Sequence, residues 1–90
     1  PNGEPDIKRQ LVMLKELMRL SHTALDLSYC VVLNNELLEQ VLAKSHALRR
    51  LNLHGCPGIT DKAVLYLERV HANTLEALYL SDNPGLNCIE

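Results

Sequence analysis

One line of sequence is written three times in this chain, and that periodicity constrains the fold more than any other feature. The copies are His22-Thr23-Ala24-Leu25-Asp26-Leu27-Ser28-Tyr29-Cys30, Leu48-Arg49-Arg50-Leu51-Asn52-Leu53-His54-Gly55-Cys56 and Leu75-Glu76-Ala77-Leu78-Tyr79-Leu80-Ser81-Asp82-Asn83. They share the frame LxxLxLxx followed by Cys or Asn, with His22 in place of the first leucine. Leu25, Leu51 and Leu78 stand 26 and 27 residues apart, so the period holds over two successive steps. Within each line the leucines alternate with polar residues, the two-residue period of a strand with one buried face.

Between the lines the texture changes to helical. Leu37, Leu38, Val41 and Leu42 fall on one face of a helix, and so do Ala63, Val64, Leu67 and Val70. Asn34 or Asn35 suits the cap of the first of these helices, and Thr60 or Asp61 the second, because their short side chains accept first-turn N–H groups. Gly55, Pro57 and Gly58, and later Asn83-Pro84-Gly85, mark turns that leave the strands. Each unit therefore reads strand, turn, helix. An earlier helix is expected over 6–20, with Ile7, Leu11, Leu14, Leu17 and Met18 at helical spacing and Asp6 as its cap.

The stretch Leu51-Asn-Leu53-His-Gly-Cys56-Pro-Gly-Ile59-Thr60-Asp61-Lys-Ala-Val64 resembles the cysteine-containing leucine-rich repeat of F-box-type ubiquitin-ligase substrate receptors. The first unit is a looser copy, in which Leu33, Asn34 and Asn35 answer Ile59, Thr60 and Asp61. The third departs further, with Asn83 in place of Cys and no helix after it. The resemblance covers residues 22–88 and implies an α/β leucine-rich-repeat solenoid, right-handed, with parallel strands on a concave face and helices outside. Its units are 22–47, 48–74 and an incomplete 75–88, preceded by a linker and helix at 1–21. That helix is read either as a cap or as the helix of a preceding repeat, and the sequence supports both equally. No F-box helix trio is visible, so the resemblance stops at the repeat.

The resemblance accounts for the composition. The chain is 47% hydrophobic with no Trp or Phe and three Tyr, because leucine fills a recurring inward slot: Leu25, Leu27, Leu51, Leu53, Leu78 and Leu80. Cys30, Cys56 and Asn83 are expected to stack where each strand ends and to bond to the turn backbone. Three cysteines without a CxxC pair argue against a disulfide framework and for reduced thiols in the cytoplasm or nucleus. The start at Pro1 without Met fits an excised or processed segment. No run approaches the roughly 18–20 apolar residues of a membrane span, so a soluble chain is expected. A net charge of -2 lacks the excess of positive charge a nucleic-acid or anionic-membrane binder carries, and Lys8-Arg9 and Arg49-Arg50 are too small and separate to form a basic stripe.

If the frame leucines point inward, the residues between and immediately beside them form an outward face. Its columns are Ala24, Arg50 and Ala77; Asp26, Asn52 and Tyr79; and Ser28, His54 and Ser81, with Tyr29, Gly55 and Asp82 at the rim. Arg and Tyr are frequent hot-spot residues, so Asp26, Ser28, Tyr29, Arg50, Asn52, His54, Tyr79, Ser81 and Asp82 are candidates for binding a protein partner without catalysis. A solvated sheet face is polar in any case, and that is the bland reading of the same residues. The second functional reading is a segment of a larger protein or complex that binds, or self-associates, through an open edge at Leu78 to Ile89, with Leu86 and Ile89 folding back as partial cover.

Asp26, Ser28 and His54 contain the ingredients of a hydrolytic triad, yet an open sheet face offers no oxyanion hole or dry pocket, and no GxSxG occurs. No catalytic residue is assigned. His54, Cys56 and Cys30 are metal-ligand types, but alternate frame positions turn to opposite sides and no CxxC or HxxxH clamp accompanies them; no metal is expected. Gly55-Cys56-Pro57-Gly58 lacks the spacing of phosphate loops, so no nucleotide or other cofactor is expected. His22, His46 and His71 fall at junctions between units, as partly buried, hydrogen-bonded rings.

Overall fold

Each leucine line opens with a strand. In the computed structural model, which describes residues 6–86, these are β1 (Ala24–Asp26), β2 (Arg50–Asn52) and β3 (Ala77–Tyr79). They pair in parallel in the order β1-β2-β3, with Ala24, Arg50 and Ala77 in one row, Leu25, Leu51 and Leu78 in the next, and Asp26, Asn52 and Tyr79 in the third. The ladder runs past the strands. Leu27 and Leu53 donate their N–H groups to Asn52 and Tyr79 carbonyls at 2.9 and 2.8 Å, and Tyr29 and Gly55 donate to His54 and Ser81 at 2.8 and 3.0 Å. The rows 28/54/81 and 29/55/82 are thereby held in step as well.

Among the described residues three helices, α1 (Ile7–Leu17), α2 (Asn35–Leu42) and α3 (Asp61–Val70), pack side by side in that order and share a hydrophobic cluster with the sheet. Their caps are Asp6, Asn34 and Thr60, which accept N–H groups of Arg9, Leu37 and Lys62. Asn35, the other capping choice in the sequence, does something else. Its amide donates to Thr60 Oγ1 at 2.8 Å while its carbonyl accepts Thr60 N–H at 3.1 Å, clamping the start of α2 to the cap of α3.

Leu27, Leu33, Leu38, Val41, Leu42, Leu48, Leu51, Leu53, Ile59 and Leu67 are buried. Leu25, Leu78 and Leu80 pack against them only partly buried, because their strands lie at the two edges of the sheet. On α3 the inward face differs from the expected one. Tyr66 is buried, whereas Val70, at the last turn, is 55% exposed. On α1 only Leu14 is fully enclosed; Ile7 and Leu11 are largely exposed. Ile89, expected to fold back with Leu86, lies outside the described residues, as do 87 and 88; Leu86 packs against the core, partly buried.

The expected leucine-rich-repeat solenoid is corrected by the structure. Over the described residues the chain is a small compact α/β unit of three helices and a three-stranded parallel sheet. Its Cα radius of gyration, 12.6 Å, is that of a globular chain of this length. A solenoid is quasi-one-dimensional, each repeat touching only its neighbours. Here the buried side chains of the first two leucine lines and of all three helices belong to one hydrophobic cluster, and Leu75, Leu78 and Leu80 of the third line pack against that same cluster.

Candidate functional site

The outward face of the sheet carries the candidates, and the frame leucines determine which residues those are. With Leu51 and Leu53 buried, Arg50, Asn52 and His54 turn outward, and the same alternation exposes Ala24, Asp26, Tyr79 and Ser81. A shallow depression between the strands is lined by Ala24, Leu25, Asp26, Arg50, Leu51, Asn52 and Tyr79. All nine candidates therefore share one face or its rim.

Within that face the side chains have separate duties. Asp26 Oδ1 accepts the Ser28 N–H at 2.9 Å, and Asn52 Oδ1 accepts the His54 N–H at 2.9 Å, the same two-residue step on adjacent strands. Both close local turns. The Ser28 N–H, with its hydroxyl, lowers the Asp26 pKa by stabilising the carboxylate. His54 Nδ1 shares a 2.7 Å hydrogen bond with Ser81 Oγ. The carboxylate thus serves Ser28 while the imidazole serves Ser81, which is not the connectivity of a hydrolytic relay.

The rim holds a feature that composition could not reveal. Tyr29, Gly55 and Asp82 have φ of 61, 68 and 63°, so one residue after each strand adopts the left-handed conformation. Glycine takes this at no steric cost; tyrosine does not. The Tyr29 ring lies over Gly55, where a Cβ would come within 2.7 Å of Tyr29 Cδ1. It also meets the His54 ring edge-on, with centroids 5.0 Å apart at 90°. Tyr29, His54 and Ser81 consequently form an ordered patch, with Tyr29 62% and Tyr79 55% exposed.

Below the face, the stacked Cys30, Cys56 and Asn83 meet the turn backbone. Cys56 Sγ–H donates to the Leu27 carbonyl at 3.0 Å, and Asn83 joins the neighbouring turn through both ends of its amide. Cys30 Sγ–H points to Gln10 Oε1 at 3.8 Å, and the same oxygen accepts Val32 N–H at 3.3 Å, tying α1 to the first turn. Gln10 was not singled out by sequence, although a glutamine beside Ile7, Leu11 and Leu14 is the available signal. Both thiols are free and buried, and desolvation raises their pKa. Among the described residues no group of three His, Cys, Asp or Glu side chains is placed to hold a metal ion.

The junction histidines divide. His22 is half-buried and hydrogen-bonds the Leu17 carbonyl at 2.9 Å; His71 is buried against Tyr66 Oη at 3.1 Å. His46 departs from expectation, since it is exposed. Among the described residues no helix is long and apolar enough to cross a membrane. Comparison with protein-family models, with curated proteins and with solved structures finds no match.

Proposed function

We propose that this chain is a non-enzymatic module that recognises a protein partner through the outward face of its sheet. The observation that carries the reading is the ordered patch of Tyr29, His54 and Ser81, flanked by the exposed Tyr79 and Arg50. Aromatic and arginine side chains held in place before binding contribute most to affinity, because little side-chain freedom is left to lose. The resemblance to cysteine-containing repeats makes a protein destined for ubiquitin transfer the first partner class to test. Three strands give a strip only about 10 Å across, against the roughly 800 Å² each partner buries in a specific interface. The partner therefore also touches the rim loops, or binds weakly.

A second reading, docking through the β3 edge, is favoured by one observation: Leu75, Leu78, Leu80 and Leu86 are only partly buried, whereas Leu48, Leu51 and Leu53 are fully enclosed. The two readings separate in one experiment. Partners are captured on the chain, on an Arg50/Asn52/His54/Tyr79 quadruple alanine variant and on Leu86→Asp, with each fold checked by circular dichroism. Loss confined to the quadruple variant is the expected result. Loss confined to Leu86→Asp overturns the sheet-face reading in favour of the edge.

A further inference from the structure

The sheet face is electrostatically divided along the strands. Arg50, its one basic residue, stands at the end where the strands begin, between the small neighbours Ala24 and Ala77. The rows toward the other end, 26/52/79, 28/54/81 and 29/55/82, contain Asp26, Asp82, Tyr29 and Tyr79 but no Lys or Arg. Asp26 is engaged by Ser28. Asp82 is exposed and its carboxylate has no hydrogen bond or ion pair among the described residues.

Asp82 and Tyr29 occupy the same row on the outer two strands, about 10 Å apart at the backbone, with Gly55 between them. Because Gly55 has no side chain, the Tyr29 ring lies across it, toward the strand that carries Asp82. The ring is pinned by its edge contact with His54, which Ser81 holds in turn. An exposed aromatic ring and an unpaired carboxylate on one row, a residue apart, is the chemistry that receives a cationic side chain lying between them.

We propose that the Tyr29–Gly55–Asp82 row is the subsite for a lysine or arginine side chain of the protein partner, its charge lying against the Tyr29 ring and paired with the Asp82 carboxylate. The inference rests on the sheet-face reading and adds the chemistry of the partner's anchor. A basic anchor here also leaves Arg50 free for an acidic group further along the same partner.

The test is a titration of the isotope-labelled 90-residue chain with three pentapeptides, Gly-Ser-Arg-Ser-Gly, its citrulline analogue and its glutamate analogue, followed by amide chemical shifts. The arginine peptide is expected to produce saturable shifts centred on Tyr29, His54, Gly55 and Asp82. The citrulline peptide, of the same shape without the charge, leaves those signals unmoved. Asp82→Asn and Tyr29→Ala each weaken the arginine response about three- to fivefold, whereas Tyr29→Phe, which keeps the ring, retains it. Equal responses to arginine and citrulline, no response, or shifts that appear only around Arg50 with the glutamate peptide overturn the proposal. The two ideas fail separately. Partner loss in the quadruple alanine variant without an arginine-specific shift sinks the subsite alone; an arginine-specific shift at Tyr29 with every captured partner retained by that variant sinks the sheet-face reading.

Discussion

Asn83 accepts the backbone N–H of Cys56 on its Oδ1 and returns its own amide hydrogens to the Leu53 carbonyl at 2.9 Å and the Leu80 carbonyl at 2.8 Å. One buried side chain thereby satisfies three backbone groups where two strands end. Removing it in Asn83→Ala leaves a buried N–H and two carbonyls without partners, at about 1–3 kcal/mol for each unmet group, softened by whatever water enters. Urea unfolding is expected to show a loss of about 3 kcal/mol. Asn83→Cys, which restores the residue of the other two lines and keeps one donor, costs less.

Gly58 and Gly55 are constrained for different reasons. A Cβ on Gly58 meets the Leu33 carbonyl oxygen, a backbone atom held by the turn, while one on Gly55 meets the Tyr29 ring, which can swing away. Gly58→Ala should therefore destabilise by more than about 2 kcal/mol and move the turn backbone. Gly55→Ala should cost about 1–2 kcal/mol for its left-handed φ, and should release the Tyr29 ring. Urea midpoints read the first effect, and tyrosine ring shifts read the second.

His71 makes the fold sensitive to acid. Burial, and secondarily the nearby His46, lowers its pKa from the ordinary 6.5. Folding favours the neutral ring, so its contribution is complete above about pH 6.5 and is lost as the pH falls through the lowered folded value. One proton allows a slope of at most about 1.4 kcal/mol per pH unit. Unfolding curves between pH 7.5 and 4.5 should show stability falling with acid in the parent chain, by no more than that slope, and should lack this loss in His71→Phe, which has no bond to Tyr66 at any pH.

Cys30 and Cys56 should be inert until the chain opens. Their thiolates are disfavoured by burial, and both sulfur atoms donate to oxygen. On a Cys88→Ser chain, so that only these two report, thiol modification is expected to be at least about a hundredfold slower in buffer than in urea. Fast modification in buffer would mean that the turns behind the sheet open readily.

Much of this arrangement was legible before the structure. The 26- and 27-residue spacing put Ala24, Arg50 and Ala77 in one row and Asp26, Asn52 and Tyr79 in another, and the ladder pairs those residues. Alternation is sufficient for this, because a strand with one buried face permits a single choice of outward residues. The capping positions were legible to within one residue. The misses have a common origin: Tyr66 in place of Val70 on the inner face of α3, the exposed His46, and Gln10 reaching from α1 to the first turn all depend on how far one element sits from another.

The amino-acid order by itself determined the local elements and their register, since strand period, helix period, cap chemistry and turn glycines are properties of near neighbours along the chain. Tertiary structure alone decided that the leucine lines close into one compact unit, because burial is shared by elements distant in sequence. It also decided that the His54 ring serves Ser81 on the neighbouring line rather than the Asp26 carboxylate, and that the Tyr29 ring lies over Gly55. Those outcomes depend on a separation of a few ångströms between strands, and such distances exist only once the sheet has formed.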